Sequence, residues 1–529
     1  MSASPLPSAT PSSSASASKG KDAMRADIDG AKSHDLIFAI VGHVGAGATH
    51  VAGSLIEELR SAGYQPLKIK ASDLITTTAE QLGVLRKEML NGPRHERTTY
   101  LQDAGDELRR RHGPSIVGGL AIRRIFKERK AARDTSKPLA FVIDSLKNPR
   151  EVEALREVYR NSFYLLGIIC GVDIRNNRLN FKYKEANPQQ RSEIAQRDDA
   201  SPRVDGQPPD VGQNVRETLQ YADFFVSNED PDSTSLASTL SRIIQIIMGQ
   251  TVIRPQRDER GMYAAWSASL RSSCMSRQVG AAIVNESGEI IATGTNDVPA
   301  YGGGLYQDGR PNDHRCFADN GKLGAPYCRN DVSKIEIYED IFKKLKSQNL
   351  LADTASQDAV RRQIEQTAVR DLVEFSRAVH AEMDALLSIV RTGGTTTKGA
   401  TLYCTTYPCH SCARHIVASG IHEVVYIEPY TKSRASSLHS DSISETTQPW
   451  TASSNKVHFR PFSGVSPRRF ATVFKKSVDL KDKAGFLLQR PVEQALHQDP
   501  VFSKDLQEFE ERIASRVEEI ERGGEVRER

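Results

Sequence analysis

The sequence predicts an α/β protein with two successive domains, and three observations lead to this prediction. Apolar runs of strand length alternate with charged segments of helical length from Leu36 to about residue 250. A second series of apolar runs and helical patterns begins near residue 279. The chain has 529 residues, whereas one domain typically has about 100–200. We therefore expect residues 35–250 and 260–490 to form separate domains.

The composition excludes several classes of protein. Hydrophobic residues make up 38% and charged residues 26% of the chain, with a net charge of +4, which argues against a wholly disordered protein. No apolar run approaches the roughly 20 residues that span a bilayer, and the N-terminus lacks a secretory apolar segment. We therefore expect a cytoplasmic protein without membrane contact. Seven cysteines in a chain of this length favour metal binding or free thiols over a disulfide framework.

The two ends of the chain differ from its centre. Residues 1–34 are rich in Ser, Ala and Pro and contain few large apolar side chains, so we expect a disordered tail. Within 500–529 the sequence predicts a charged helix with one apolar stripe. We expect this stripe to pack on the chain's own domain, with self-association as the alternative. The stripe consists of Leu506, Phe509, Ile513, Val517 and Ile520.

The first domain is predicted from four apolar runs separated by helical segments. These runs are LIFAIVG from Leu36, PLAFVID (138–144), FYLLGIICGV (163–172) and ADFFVSN (222–228). Alternation of this kind predicts a parallel sheet with helices on its faces. Residues 184–213 contain hardly any large apolar side chains and are expected to be a mobile insertion.

A glycine-rich loop follows the first predicted strand and precedes the first predicted helix. The segment Gly42–Thr49 (GHVGAGAT) has the glycine spacing of a phosphate-binding loop, whose backbone N–H groups bind phosphates. Ala48 replaces the usual lysine, which favours nucleotide binding with Mg²⁺ over phosphoryl transfer. This region resembles nucleotide kinases, which implies a P-loop kinase-like domain; in the alternative, Asp144 merely ends a strand. The candidate nucleotide-binding residues are Gly42, Gly45, Gly47, Thr49 and Asp144.

The second domain is predicted to open with MYAAWSASLRSS (262–273), followed by a β-hairpin over VGAAIVNESGEIIATGTN (279–296). A helix over HAEMDALLSIV (380–390), a strand over TLYCTT, a short helix over CHSCARHIVASG and a strand over EVVYIEPY follow. In the first of these helices, the spacing of four apolar residues predicts one buried face. The four residues are Met383, Leu386, Leu387 and Val390.

Two short motifs of the second domain predict a catalytic zinc site. His380 and Glu382 form H-x-E at a helix start, and Cys409 and Cys412 form P-C-x-x-C at the next helix start, as in zinc deaminases. One histidine and two cysteines would leave an open coordination position for water, and Glu382 would move protons during hydrolysis. The alternative is a structural zinc clip or two idle thiols, but a structural site would not need Glu382.

Residues 262–430 resemble the deoxycytidylate deaminase family. The segments that carry this resemblance are RSSCMSRQVGAAIV (271–284), ATGTNDVP (292–299), RAVHAEMDALL (377–387), YPCHSCARHIVASGI (407–421) and VVYIEPYTKS (424–433). The resemblance implies a three-layer α/β/α cytidine deaminase-like domain and a monomeric deoxycytidine nucleotide as substrate. It also implies that Asn296 contacts the sugar.

A second zinc site is a further candidate. Cys274, His314, Cys316 and Cys328 are ligand types that could form a closed site, and some phage relatives carry an additional structural zinc near equivalent places. The spacing H-x-C-x11-C is not a common zinc pattern, so buried free cysteines remain the alternative.

The whole arrangement, a degenerate phosphate loop followed by a deaminase region, resembles the bacterial anti-phage dCTP deaminases. GQNVRETLQYADFFVSN (212–228) and PFSGVSPRRF (461–470) add to this resemblance. It implies conversion of dCTP and dCMP to dUTP and dUMP during infection. It also implies restraint in uninfected cells, in some members by a small inhibitory RNA, and a homo-oligomeric state.

The leading hypothesis from the sequence is therefore a zinc-dependent deaminase of free deoxycytidine nucleotides. One alternative is a polynucleotide editor, which should show a basic groove with exposed aromatic residues. A net charge of +4 and an aromatic content of 6% give the polynucleotide editor little support. The other alternative is a nucleotide sensor in which the zinc site is structural.

Overall fold

The structure is a computed structural model, and the residues that it describes run from 32 to 522 with short gaps. These residues are 32–132, 137–200, 211–229, 233–249, 252–309, 313–319, 323–352, 354–367, 369, 372, 375–430, 433–446, 448–476, 479–488 and 503–522. Most of the predicted tail, residues 1–31, lies outside them, as do residues 201–210 of the expected insertion and residues 523–529. No helix in the described part of the chain is long and apolar enough to cross a membrane.

Strands and helices alternate along most of the described chain. The strands are β1 (Leu36–Gly42), β2 (Gln65–Lys70), β3 (Leu139–Asp144), β4 (Phe163–Ile169), β5 (Phe224–Ser227), β6 (Gly280–Val284), β7 (Ile290–Thr295), β8 (Thr401–Thr406), β9 (Glu423–Glu428), β10 (Ile443–Glu445), β11 (Val457–Pro461) and β12 (Gly464–Val465). The α-helices in the first half are α1 (Ala48–Ser61), α2 (Ala71–Gln81), α3 (Arg94–His112), α4 (Ile116–Ala131), α5 (Pro149–Tyr159), α6 (Val172–Lys182), α7 (Pro188–Asp199), α8 (Val215–Gln220) and α9 (Ser233–Met248). Those that follow are α10 (Arg257–Ser269), α11 (Arg329–Ser347), α12 (Gln357–Ile364), α13 (Ala381–Thr392), α14 (His410–Ala418), α15 (Ala435–Leu438), α16 (Pro467–Phe474) and α17 (Ser503–Glu521).

The first sheet contains six strands in the order β12-β5-β4-β1-β3-β2. Strands β1 to β5 are parallel, and β12 is antiparallel to β5 at one edge. Helices α1 and α9 pack on one face, while α4, α5 and α17 cover the other. Because β1 lies between β3 and β4, the loop that follows it occupies the point where the strand order reverses, the usual ligand position in such sheets.

The second sheet contains six strands in the order β10-β11-β9-β8-β6-β7 and lies between two layers of helices. Alternate residues of a strand face opposite sides. Ala281 and Ile283 of β6 accordingly face α13 and α14, whereas Ala282 and Val284 face α10. Two α/β domains, the second a three-layer α/β/α sandwich, are therefore confirmed as the fold class.

Two glycines allow the helices of the second sheet to approach the strands closely. A Cβ atom at Gly280 would lie 1.9 Å from the carbonyl oxygen of Ala265 in α10, and one at Gly294 would lie 2.0 Å from that of Ala381 in α13. Real Cβ atoms do not come so close, so any larger residue would force the helix away. Gly294 therefore determines how near α13, with the predicted zinc and proton-transfer residues, lies to the sheet.

This close approach also explains why the predicted buried face of α13 is wrong. Leu387 is 42% and Val390 is 76% exposed, although Leu386 of the same set is buried. The face that meets β7 is centred on Ala381 and Ala385, because only small side chains fit where the two backbones nearly touch. The predicted helix is present, but its largest apolar side chains do not all lie on its buried face.

The chain after residue 461 returns to the first sheet. The N–H of Val465 in β12 donates to Glu259 at the start of α10, and the two oxygens of Glu259 also accept from Arg242 in α9 at 2.8 Å each. Glu259 is fully buried and thus joins the two sheets. Helix α17 packs on α4 and α5 of the first domain, where Leu506 and Val517 are buried. Residues 35–250 and 260–490 remain our proposed domain bounds, with β12 as a strand shared across them.

Part of the expected mobile insertion is an ordered helix. Asn187 caps α7 with its side chain, and Pro188 occupies the first turn, where its missing N–H costs nothing. Ile194 and Asp198 are buried against the rest of the first domain. The sequence did not predict this helix because one buried apolar residue, Ile194, leaves too weak a periodic pattern.

We predict that Gly294→Ala lowers the free energy of unfolding by about 1–3 kcal/mol, because the added methyl group overpacks the contact between β7 and α13. Urea unfolding of the full chain measures this loss. Gly53→Ala in α1 is the matched control, since its Cβ atom meets nothing within 4 Å. Equal stability of the Gly294→Ala variant and the unaltered protein would contradict the close-approach argument.

Candidate active site

The predicted zinc ligands meet where two helices begin. His380 is the N-terminal cap of α13, and Cys409 is the cap of α14; both have extended backbones that turn into the helix. The N–H of Val379 donates to the carbonyl oxygen of Asp297 at 2.9 Å, which fixes the segment before His380 beside β7. Both helices lie on the same face of the sheet, so their N-termini and partial positive charges converge.

The donor atoms of His380, Cys409 and Cys412 fit one metal ion. Nδ1 of His380 lies 3.3 Å from Sγ of Cys409 and 3.4 Å from Sγ of Cys412. Tetrahedral zinc, with bonds of about 2.1 Å to nitrogen and about 2.3 Å to sulfur, would separate these atoms by about 3.6 Å. Among the described residues, these three are the group of His, Cys, Asp and Glu whose ligand atoms all lie within 4.8 Å of one another. One nitrogen and two sulfurs are also the donor types that select zinc.

The electrostatics of the two thiols favour a cation between them. Hydrogen bonds from Cys412 and His380 lower the pKa of Cys409 well below its usual value, despite burial. The Cys409 thiolate and burial in turn raise the pKa of Cys412. Two adjacent thiolates repel each other unless a positive ion neutralises them, so a divalent metal removes the conflict.

Glu382 lies beside the ligands but is a different kind of group. It occupies the first turn of α13, is 4% exposed and lines the same cavity as His380 and Cys409. Burial raises its pKa to about 7, with opposing stabilisation from His380. A carboxyl group near neutrality can both accept and donate a proton at physiological pH, which suits a general acid and base.

The cavity in front of these residues has a volume of about 300 Å³ and admits a small molecule. Asn296, the predicted sugar contact, lines it. The side-chain oxygen of Asn296 accepts from the N–H of Val279 at 2.6 Å, and its amide donates to the carbonyl oxygen of Arg277 at 2.8 Å. Asn296 thus orders the wall formed by residues 277–279, and its contact with a sugar remains a prediction.

Four cationic side chains around the cavity were not among the predicted site residues. Arg277 precedes β6, Arg329 and Lys334 lie in the first turns of α11, and Arg377 precedes His380. They come from three separate segments, so no local motif joins them in the sequence. Three acidic residues, Asp297, Asp331 and Glu382, also line the cavity, so the four cations outnumber them by one.

The candidate residues of the second zinc site are only partly brought together. Cys274, Cys316 and Cys328 line the cavity, whereas His314 is not among its lining residues. In the described ranges their ligand atoms do not form a group within 4.8 Å of one another. The second zinc site therefore stays a prediction.

The Gly42–Thr49 segment, predicted to be a phosphate loop, lies far along the chain from these residues, at the carboxyl end of β1. Gly45 and Gly47 have φ angles of 88° and 85°, which favour glycine. Thr49 is exposed in the first turn of α1. Asp144 ends the neighbouring strand β3, and Nζ of Lys68 lies 3.1 Å from the carboxylate of Asp144. The candidate residues Gly42, Gly45, Gly47, Thr49 and Asp144 thus share one edge of the first sheet.

Comparison with known proteins finds relatives of the second domain. The family described as the cytidine and deoxycytidylate deaminase zinc-binding region matches residues 255–428. The deoxycytidylate deaminase of Enterobacteria phage T2 is 29% identical over 170 residues, 32% of this chain and 79% of that protein. That of Enterobacteria phage T4 is 31% identical over 170 residues, 32% of this chain and 77% of that protein. A crystal structure of dCMP deaminase from the cyanophage S-TIM5 covers 40% of this chain and 100% of its own, with 18% identity and a TM-score of 0.22.

The fold and the site together define a zinc-binding nucleotide deaminase domain, because the matched residues 255–428 contain all three metal ligands and Glu382. The chain belongs to the deoxycytidylate deaminase family. Strands β1 to β5, with the phosphate loop, lie outside the span that the family model matches.

We predict that Cys409→Ala abolishes zinc binding at this site, because two remaining ligands hold zinc too weakly. Zinc content per purified chain measures the loss, and Cys404→Ala, a buried cysteine of β8 outside the ligand group, should retain the metal. The second predicted site adds a further expectation: two zinc ions per chain, of which Cys316→Ala removes one. A content of one zinc per chain, unchanged in Cys316→Ala, would contradict the second site.

Proposed function

We propose that this protein hydrolyses the amino group of free deoxycytidine nucleotides, dCTP or dCMP, to give dUTP or dUMP and ammonia. The observation that carries this proposal is a buried carboxylate beside a His/Cys/Cys ligand group in a cavity of about 300 Å³. Membership of the deoxycytidylate deaminase family supports the deoxycytidine base and sugar.

In the proposed mechanism, bound zinc supplies Lewis-acid activation of a water molecule. Glu382 accepts a proton from the attacking water and delivers it to the ring nitrogen of cytosine. It then carries the second proton to the amino group, so that the carbon–nitrogen bond breaks, ammonia leaves and a carbonyl remains. Because Glu382 is buried, it exchanges these protons with the substrate and not with bulk solvent.

The cations of the cavity wall are proposed to bind the phosphate groups of the substrate. Arg329 and Lys334 lie near the N-terminus of α11, where the helix dipole also favours an anion. Arg277 reaches the wall from the strand side, with 56% of its side chain exposed. Several separate cations favour a nucleotide over a nucleoside, and more than one phosphate can be held in this way.

We also propose that the Gly42–Thr49 loop binds a nucleotide with Mg²⁺ near Asp144. Support comes from the two glycines with positive φ and from the position of the loop where the strand order reverses. Ala48 in place of lysine favours binding without phosphoryl transfer, so this nucleotide would regulate the deaminase.

The biological role that we propose is depletion of dCTP during phage infection, as the resemblance to anti-phage dCTP deaminases implies. The same resemblance implies restraint by a small RNA in uninfected cells. It also implies homo-oligomers, for which the exposed Leu387 and Val390 on α13 offer an apolar surface. The chain is thereby proposed to act in the cytoplasm, where the nucleotide pool lies.

We predict that Glu382→Gln lowers ammonia release from dCTP or dCMP by about 10²–10⁴-fold while zinc is retained, because proton transfer is lost and the ligands are intact. Ammonia release from dCTP, dCMP, CTP, cytidine and single-stranded DNA gives the substrate class, with Glu289→Gln as a surface control. Turnover of single-stranded DNA alone would instead support a polynucleotide editor. Full activity of Glu382→Gln would contradict proton transfer by Glu382, whereas bound zinc without turnover of any substrate by the unaltered protein would point to a sensor. In infected cells, a fall in dCTP that Glu382→Gln prevents would support the role in defence.

We further predict that Lys334→Ala raises KM for the nucleotide by about 10- to 150-fold and leaves kcat nearly unchanged. The lost hydrogen bond to a charged phosphate is worth about 1.5–3 kcal/mol, and it acts away from the reacting ring. Activity on deoxycytidine, which lacks phosphate, should not change. Lys343→Ala, on the same helix but outside the cavity wall, is the matched control. A KM increase for deoxycytidine as well would exclude phosphate recognition by Lys334.

A further inference from the structure

The phosphate loop already holds an anion that belongs to the chain itself. The backbone N–H of Val44, within the loop, donates to Oδ2 of Asp198 at 2.7 Å. Asp198 is the penultimate residue of α7, separated from Val44 by 154 positions, and is only 3% exposed. A carboxylate thus accepts from a backbone N–H of the type that would otherwise bind a phosphate oxygen.

A lysine also contacts this carboxylate. Nζ of Lys147 lies 2.7 Å from Oδ1 of Asp198 and donates to the carbonyl oxygen of Gly42 at 2.9 Å. Lys147 follows β3, three residues after Asp144, and therefore reaches the loop from the neighbouring strand. The loop lacks a lysine at Ala48, but the structure supplies an ammonium group from another segment.

Asp199, the next residue of α7, also contacts the loop. Asp199 accepts from Nε2 of His43 at 2.8 Å and also pairs with Arg216. Burial opposes ionisation of Asp199, yet these hydrogen bonds hold its pKa below the ordinary value. Acidic side chains at a helix C-terminus are normally unfavourable because of the helix dipole. Contacts with the loop offset this penalty in α7.

An apolar cluster keeps these two helices over the loop. Val44 packs against a buried cluster that α6, the adjoining turn and α7 contribute, consisting of Leu179, Tyr183, Ala186 and Ile194. On the far side of the loop, the side-chain amide of Asn228 donates to the carbonyl oxygen of Ala46 at 2.7 Å. The end of α7 therefore occupies the N–H of Val44, and a polyphosphate can bind this group only when the end of α7 moves.

We propose that Asp198 is an internal anion that closes the phosphate loop, and that a polyphosphate displaces it and takes over its contacts with Val44 and Lys147. The ligand class is a nucleoside polyphosphate, whose phosphate oxygens match the carboxylate contacts but carry more charge. This inference rests on the proposed nucleotide binding by the first domain. It adds that the polyphosphate competes with the end of α7 for the same groups of the loop, so ligand binding displaces this helix.

The test uses inorganic tripolyphosphate, which carries no base for the zinc cavity, and the full-length protein. Titration calorimetry compares the unaltered chain with Asp198→Asn, which keeps an oxygen acceptor for Val44 but removes the charge. Glu193→Gln is the matched control, because it removes an exposed charge from the same helix. The double variant Asp198→Asn/Lys147→Met tests whether Lys147 contacts the bound polyphosphate. Zinc content and thermal unfolding show that each variant is folded.

We expect Asp198→Asn to bind tripolyphosphate at least about tenfold more tightly than the unaltered chain, as when the open form rises from about one molecule in ten to nearly all. Glu193→Gln should bind tripolyphosphate as the unaltered chain does. Adding Lys147→Met to Asp198→Asn should remove the gain in affinity. Equal affinity of Asp198→Asn and the unaltered chain would overturn closure by Asp198 while leaving nucleotide binding intact. Absence of binding in every variant would overturn both proposals. A gain that persists without Lys147 would overturn the role of that lysine.

Hydrogen exchange on the unaltered protein tests the same inference without a substitution, should Asp198→Asn fail to fold. Saturating tripolyphosphate should slow amide exchange in residues 42–49 and accelerate it in residues 188–199, because the ligand displaces α7. Slower exchange in both segments, or no change in α7, would overturn the proposal. Neither result depends on deamination, so the deaminase proposal is judged separately.

Discussion

The convergence of two helix N-termini on one point is the constraint on which the candidate site depends. His380 caps α13 and Cys409 caps α14, and their donor atoms lie 3.3 Å apart. Such proximity requires α13 to lie directly on β7, which the missing Cβ atom of Gly294 permits. The sheet thus acts as a platform, and the same contact that buries α13 also removes Glu382 from solvent. The close approach of the α13 and β7 backbones therefore determines both the packing of α13 and the burial of Glu382.

A second buried interaction connects this platform to the first sheet. Glu259 accepts from Arg242, Val465 and Gln256, so a carboxylate at the start of α10 joins α9, β12 and its own helix. Removing one partner of a buried ion pair typically costs about 3–5 kcal/mol, because the remaining charge is left buried without a partner. Phe225 and Phe462 pack beside it against α10.

Several features of the site were accessible from the sequence because they are local. The H-x-E and P-C-x-x-C spacings each place their residues within one helical turn, so the sequence alone identifies the candidates His380, Glu382, Cys409 and Cys412. The glycine spacing of the phosphate loop is local in the same sense. The exposed side of α13 was not predictable, since Leu387 and Val390 satisfy helical periodicity equally well. Only the narrow space beside Gly294 shows that Ala381 and Ala385 form the buried side.

By itself, the sequence determined the two α/β domains, several of their strands along the chain and the candidate ligand group for zinc. Apolar periodicity and short motifs record these features within a few residues of one another. Only the tertiary structure decided the cations of the cavity wall, the return of β12 to the first sheet and the contact between Asp198 and the phosphate loop. Val44 and Asp198 are 154 residues apart. No local pattern records a pair so distant in the chain, because the contact forms only when the first domain folds and brings the end of α7 to the loop after β1.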